Sequence, residues 1–366
     1  MTAVGRRPPA PDGPPGRAAD GPGGAKGAST VVSPVVDLAS FFRRSNVLLV
    51  VGKGGVGKAT VTAALARAAA TAGLDVLVVA LEEGGGLPAL FAREEPFGYD
   101  HVVLVDGASA KDGAPDSASG RVPGRIRGRV VTADAALLEY LADHGLGRVS
   151  KRLVQTGALD VVATAVPGLR EMLVLARVKQ IERAGVADLV LLDAPATGHA
   201  VTFLTSSGGL ADAARGGAMR AQAQQVVEML SDPERCQVLL VTIPEETPVN
   251  ETVETAFRLE DQVGISLGPV VVNGCYPELD GLDADPVAAA RAAGAPEPSP
   301  EDAARLAAAG RFRQHRQELQ ARQLVRLSEQ LPLPRVELPH LFTAEIGPAD
   351  VDVLATALAA GIGALA

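Results

Sequence analysis

Short apolar runs alternate with stretches of helical periodicity along most of this chain. A helical pattern spans residues 58 to about 72, and the apolar runs have the length and β-branched content of buried strands. These runs cover residues 47–51, 74–81, 101–105, 188–193, 237–243 and 269–273. Strands that alternate with helices form βαβ units, so the pattern predicts an α/β fold with a mostly parallel sheet.

The two ends of the chain differ from this pattern. Residues 1–34 are rich in proline and glycine, and we expect them to form a disordered tail before one domain of residues 35–366. Residues 351–366 are apolar but too few for a bilayer span, which needs about 20 residues. We therefore expect a helix packed on the domain there, and no integral membrane segment.

Two interruptions are predicted inside the domain. A flexible segment at about 107–128 is followed by a helical stretch at 133–184, which together predict an inserted helical subdomain at about 107–187. A stretch rich in Ala, Pro, Asp and Glu predicts a second flexible segment at about 279–302.

Composition and charge narrow the class of protein. The 366 residues are 47% hydrophobic and 21% charged, which is enough for a sizeable core. A formal net charge of −9 argues against nucleic acid as a partner. One local basic patch is interpreted as a solvated loop, with a docking site for an acidic partner as the alternative; it contains Arg121, Arg125, Arg127 and Arg129.

The cysteines and the first residues point to a reducing compartment. Cys236 and Cys275 are far apart and form no CxxC or His–Cys cluster, so neither a disulfide framework nor a zinc site is predicted. The first residues lack the apolar core of an ordinary secretory signal. We expect a cytoplasmic protein.

Residues 47–60 join an apolar strand, a glycine-rich loop and the start of a helix. Such a loop turns its backbone amides toward a phosphate group, and Lys58 adds a charge at the N-terminus of the helix. This pattern predicts a P-loop that binds a nucleoside triphosphate. Its predicted binding residues are Gly52, Gly54, Gly55, Val56, Gly57, Lys58, Ala59 and Thr60.

One position of the loop departs from the P-loop pattern. The motif places a Mg²⁺-binding hydroxyl directly after the lysine, where this chain has Ala59. Thr60 follows, but one residue along a helix is a rotation of about 100°, so its hydroxyl should face elsewhere. The sequence therefore predicts that Mg²⁺ binding is weakened or left to water ligands.

Polar residues end three of the predicted strands. Asp193 follows a buried strand and is the best remaining candidate to hold Mg²⁺. Glu82 follows another strand and is a candidate to orient the attacking water; a solvated loop acid is nearly as good an interpretation. The side-chain amide of Asn273 has the donor and the acceptor that match a base edge.

Four motifs, in this order, resemble the arsenite-pump and tail-anchored-protein targeting ATPases. They are the P-loop, Asp193-Ala-Pro-Ala-Thr-Gly-His199, residues 241–246 with Glu251-Thr252, and Val271-Val-Asn273. The resemblance covers about residues 47–358 and implies a dimeric ATPase that uses ATP and Mg²⁺.

The same resemblance implies roles for individual residues. It implies that Lys53, inside the loop, reaches the nucleotide of the partner subunit and that Lys58 binds phosphate. It also implies that Asn273 and the Leu338-Pro339 region flank adenine, and that residues 193–199 form the second switch.

The chain also departs from the family, which leaves more than one functional hypothesis. Glu82 replaces the family's water-orienting Asp, and neither a metalloid cysteine site nor a zinc CxxC is present in the sequence. The leading hypothesis is an ATP-hydrolysing homodimer or heterodimer whose nucleotide state controls a helical surface for a protein client. The alternative is a pseudo-ATPase subunit paired with an intact paralogue, which Ala59 and Glu82 favour. A membrane-cycling MinD-like ATPase is disfavoured because residues 351–366 lack basic amphipathic character.

Overall fold

The computed structural model describes residues 37–82, 85–107, 123–143, 145, 167–214 and 216–365. The predicted tail of residues 1–34 and a large part of the predicted insertion lie outside these ranges. The described helices include none that is long and apolar enough to cross a bilayer.

The strands of the described ranges form one sheet. They are β1 (Val47–Gly52), β2 (Val76–Ala80), β3 (Val102–Val105), β4 (Ile126–Val130), β5 (Leu189–Ala196), β6 (Cys236–Thr242), β7 (Ser266–Leu267), β8 (Val270–Cys275) and β9 (Arg335–Pro339). Their spatial order is β3-β4-β2-β5-β1-β6-β8-β9, with β7 beside β6. All pairings are parallel except β3 with β4, which confirms the predicted α/β class and mostly parallel sheet.

The helices cover both faces of this sheet. They are α1 (Leu38–Phe42), α2 (Lys58–Thr71), α3 (Ala133–Asp143), α4 (Leu169–Arg183), α5 (Thr197–Ala213), α6 (Ala218–Ser231), α7 (Glu246–Val263), α8 (Pro286–Ala292), α9 (Pro300–Gln330) and α10 (Pro348–Gly363). A short 3₁₀ helix spans Ala89–Phe91.

Alternation of side chains along the strands separates two cores. In β1, Val47, Leu49 and Val51 face the core under α3 to α7, whereas Leu48 and Val50 face the core under α1, α2 and α10. Every residue of β1 is buried, as expected for a central strand covered on both faces. The result is a three-layer α/β/α domain with β1 near its centre.

Strand β4 was not predicted, and it corrects two sequence-based expectations. It belongs to the main sheet although it lies in the range predicted as an inserted helical subdomain, so only α3 and α4 of that range are helical among the described residues. The basic patch was wrongly interpreted as a solvated loop, because Arg127 and Arg129 lie on this strand and Arg129 is buried. The Arg129 guanidinium lies 4.6 Å from the Tyr99 ring centroid and 3.3 Å from His101 Nε2.

Two predictions for the C-terminal third have different outcomes. The segment predicted to be flexible at 279–302 contains the short, exposed helix α8, whose N-terminus is capped by the Asp285 carboxylate at 2.8 Å from the Ala288 amide. The predicted C-terminal helix is present as α10, and it packs on α2 and β9 through Val351, Leu354 and Leu358.

Candidate nucleotide-binding site

The P-loop follows β1 at the carboxyl edge of the sheet. Gly55 and Gly57 both have φ of +87°, a conformation that L side chains rarely adopt. A Cβ atom on Gly57 would lie 2.5 Å from Asn273 Nδ2, so this glycine also allows the loop to approach β8. Asn273 Nδ2 donates a hydrogen bond of 3.0 Å to the Val56 carbonyl and thereby ties the loop to the end of β8.

Strand register brings Asp193 and Lys58 together. Asp193 pairs with Val50 of β1 and with Ala80 of β2, so its carboxylate lies at the edge where the P-loop begins. Lys58, Glu82 and Asp193 line one cavity of about 280 Å³. The structure therefore places three of the four predicted catalytic residues around a single cavity.

The Asp193 carboxylate is poorly satisfied by the described residues. Its Oδ1 atom is shielded from solvent and has no hydrogen-bond partner within the described ranges. Burial raises the pKa of Asp193 to about 6; the charge of Lys58 opposes this rise and that of Glu82 adds to it. An unsatisfied carboxylate oxygen beside a phosphate-type loop is a suitable ligand for Mg²⁺, directly or through water.

Asp193→Asn is expected to stabilise the nucleotide-free protein near neutral pH, by about 1–3 kcal/mol in the free energy of unfolding. The folded-state pKa of about 6 lies above the usual value, so the favourable contribution of the protonated carboxyl is fully present below about pH 4 and is lost as the pH rises through 6. Asparagine mimics the protonated form at every pH.

Thermal denaturation at a series of pH values measures this effect. The gain should be largest above about pH 7 and should shrink toward pH 4. Glu82→Gln, which removes an exposed carboxylate from the same cavity, is the matched control and should give a smaller change. A gain in stability that does not vary with pH would show that the ionised Asp193 carboxylate does not destabilise the folded protein.

A second cavity, of about 380 Å³, lies on the β8 and β9 side of the loop. It is lined by six residues from the predicted binding set: Gly55, Val56, Gly57, Thr60, Asn273 and Pro339, the last at the end of β9. Its outer wall comes from Tyr276, His340, Arg316 and Gln320.

The residues of α9 in this cavity were not found from the sequence, because no motif marks them. The Gln320 amide accepts the Tyr276 N–H at 2.8 Å and donates to the Gly274 carbonyl at 3.1 Å. It therefore fixes the chain just after β8. Arg316 Nη2 lies 3.3 Å from Glu245 Oε1, and its guanidinium is 5.7 Å from the Tyr276 ring centroid. This cavity combines aromatic, amide and charged groups beside the loop and has the size and chemistry for a base and ribose.

The two residues after Lys58 face different surroundings. Ala59 packs against the core under α1, α2 and α10, whereas Thr60 lines the second cavity. Thr60 is not among the residues that line the cavity of Lys58 and Asp193. The described arrangement is consistent with the rotation expected along α2.

Lys53 lies apart from the other predicted catalytic residues. Its ammonium forms an ion pair with Glu251 Oε1 on α7. It lines a separate cavity with Gly54, Glu245 and Glu246. The two lysines of the loop therefore face different sides of it.

A glycine-rich loop between a central parallel strand and a helix, with an acidic residue near the carboxyl end of the neighbouring strand, defines a nucleotide-binding P-loop domain. Residues 47–256 match the family described as the CobQ/CobB/MinD/ParA nucleotide binding domain, and the chain belongs to this family.

Similar proteins support the more specific resemblance as well. The chain is 34% identical over 236 residues to "ATPase BagA" of Mycobacterium tuberculosis, which covers 63% of this chain and 65% of that protein. It is 30% identical over 255 residues to a "Putative arsenical pump-driving ATPase" of Halobacterium salinarum, with 63% and 36% covered. It is 26% identical over 157 residues to "ATPase GET3" of Pyricularia oryzae, with 43% and 42% covered.

These relatives confirm the resemblance to the arsenite-pump type of ATPase at modest identity. The matched region spans less than two thirds of the length of the mycobacterial relative and less than half of the other two.

Proposed function

We propose that this protein binds and hydrolyses ATP as a dimer, and that its nucleotide state controls a helical surface for a protein client or partner. The observation that carries the proposal is the convergence of Lys58, Asp193 and the left-handed glycines of the P-loop at one edge of the sheet. A lysine, a carboxylate and open backbone amides are the groups that phosphoryl transfer requires.

The residues of the site have separate tasks in this mechanism. The loop amides and the Lys58 ammonium hold the β- and γ-phosphates, and Asp193 would hold Mg²⁺, directly or through water. Bound Mg²⁺ would neutralise charge that develops on the transferring phosphoryl group. Glu82, which lines the same cavity, orients the attacking water, and Asn273 and Pro339 flank the adenine.

The proposed assembly places Lys53 at the nucleotide of the partner subunit, in a homodimer or in a heterodimer with a paralogue. Its position outside the cavity of Lys58 supports this role, because its charge is directed away from the phosphate site of its own chain. A net charge of −9 supports a protein partner over nucleic acid. The two cysteines, both free, fit the proposed cytoplasmic location.

Binding and turnover measurements test the proposal directly. Calorimetry with ATP should show saturable binding at one site per chain, and phosphate release should depend on Mg²⁺. Absence of ATP binding would refute the proposed function. Binding without detectable hydrolysis would favour the second candidate, a pseudo-ATPase subunit. Two observations support this candidate: Ala59 stands where the P-loop motif has a hydroxyl, and Glu82 stands where the family has its water-orienting Asp.

Ala59→Thr is expected to raise the rate of ATP hydrolysis about 10-fold, because a hydroxyl at this position would add a Mg²⁺ ligand. The rate should be measured across a Mg²⁺ titration, in which the half-saturating concentration should fall. Ala59→Val is the matched control, since valine has the shape of threonine without the hydroxyl. Equal rates in the threonine and valine variants would contradict the role assigned to the missing hydroxyl.

A further inference from the structure

Glu251 joins three parts of the molecule through one carboxylate. Its Oε1 atom pairs with the Lys53 ammonium of the P-loop. Its Oε2 atom accepts a hydrogen bond of 3.1 Å from Thr197 Oγ1. Thr197 is buried and begins α5, four residues after Asp193 on the same segment of chain. The P-loop, the start of α5 and α7 are therefore linked at a single side chain.

This link fixes where the second lysine of the P-loop points. Lys53 and Glu251 are each about one-third exposed, so the ion pair lies at the surface of the domain, where a second molecule has access to it. Lys53 lines a cavity with Glu245 and Glu246, and it does not line the cavity of Lys58 and Asp193. Occupation of a phosphate site by Lys53 requires the ion pair to open.

We propose that Glu251 is a positioning residue that holds Lys53 in the isolated subunit and exchanges it for the polyphosphate of a partner subunit when ATP closes the dimer. This inference rests on the proposed function. It adds that Glu251 and the polyphosphate of the partner subunit compete for Lys53, which the proposed function does not by itself require. In this view, each dimer closure replaces the Lys53–Glu251 pair with a lysine–phosphate contact.

Relative charge determines the direction of the exchange. A partly exposed ion pair is weak, because water screens it and two flexible side chains must be ordered. A triphosphate offers several negative oxygens in place of one carboxylate, so it is the stronger partner for an ammonium. Glu251 keeps its Thr197 contact after the exchange, which leaves the start of α5 anchored to α7 while the loop lysine moves.

Glu251→Gln removes the charge of this side chain and keeps its shape. A glutamine amide oxygen still accepts the Thr197 hydroxyl, whereas the attraction for Lys53 is lost. Glu254→Gln is the matched control, because Glu254 lies on the same helix, pairs with Arg258 at 3.7 Å and carries the same charge.

The first measurement uses the nucleotide-free protein and needs no assembly. Denaturant unfolding of the parent, Lys53→Gln, Glu251→Gln and the double variant gives the coupling between the two side chains. We expect a coupling of about 2- to 5-fold in the unfolding equilibrium constant, the range for exposed ion pairs. The same cycle with Glu254→Gln should give no coupling.

The second measurement follows ATP-dependent assembly by analytical ultracentrifugation with a non-hydrolysable ATP analogue. Glu251→Gln should dimerise at a protein concentration about 4- to 25-fold lower than the parent, because two ion pairs, each worth about 2- to 5-fold, no longer have to open per dimer. Glu254→Gln should match the parent. A purely structural role for Glu251 would instead weaken assembly or leave it unchanged.

The outcomes separate this inference from the proposed function. If the parent assembles with ATP but Glu251→Gln assembles no more readily, or if the unfolding cycle shows no coupling, the inference is overturned and the proposed function stands. If the parent binds no ATP, the proposed function fails and the inference falls with it. A parent that binds ATP but forms no ATP-dependent dimer also overturns the inference, since Lys53 would have no second nucleotide to reach.

Discussion

Replacing Lys58 with alanine should weaken ATP binding by roughly 10- to 150-fold, the range for loss of a hydrogen bond to a charged group. Lys58 is the lysine that lines the cavity of Asp193 and Glu82, at the N-terminus of α2. Its removal takes away the positive charge closest to the phosphates and leaves two carboxylates facing the ligand. Calorimetric titration with ATP, with and without Mg²⁺, measures the loss.

Lys53→Ala is the matched control for this experiment, because it removes the same charge from the same loop on the side away from Asp193. Its affinity for ATP should stay within about 3-fold of the parent, as expected for loss of an exposed charge. Circular dichroism melts of both variants test whether the fold is retained. Parental affinity in a folded Lys58→Ala protein would refute the phosphate-binding assignment.

Lys53→Ala should also abolish most ATP-dependent dimer closure, with dimer affinity at least about 10-fold weaker in the presence of an ATP analogue. The reason is the loss of a charge-assisted contact between the lysine and the partner's nucleotide at each of two equivalent sites. Small-angle scattering and hydrogen exchange with and without the analogue would measure closure of the purified protein.

Lys53→Arg keeps the positive charge but changes the length and shape of the side chain. It therefore separates the effect of the charge from the effect of side-chain geometry in this experiment. It should retain part of the response, because a guanidinium also binds phosphate. Since Lys53→Ala leaves Glu251 without its cation, stability must be measured in parallel. Unchanged nucleotide-dependent compaction in a stable Lys53→Ala protein would show that the lysine has no role across an interface.

The central strands and the P-loop could be predicted from the sequence because their signals are local. The run of residues 47–51 is apolar throughout, and β1 is buried on both faces. The glycines and Lys58 lie within a few residues of one another, so their geometry depends mainly on backbone rules for a short loop. For the same reason α2 begins at Lys58, as predicted.

Strand β4 could not be predicted because its sequence, Ile-Arg-Gly-Arg-Val, does not resemble a buried strand. Arg129 becomes acceptable in the interior only where the fold supplies the Tyr99 ring and His101 beside its guanidinium. Gly128 is needed for a related reason, since a Cβ atom there would lie 2.8 Å from the Phe97 ring. These neighbours come from other elements, so local propensity does not reveal them.

The sequence by itself determined the fold class, the position of the phosphate loop and the identity of the polar residues near the carboxyl ends of the strands. Only the tertiary structure decided which of these residues share a cavity: strand order brings Asp193 beside β1, and Lys53 lines a different cavity from Lys58. It also decided that burial raises the pKa of Asp193 and that Lys53 is held by Glu251, 198 positions away. Burial and ion pairing depend on distances through space, and a linear pattern of residue types does not contain those distances.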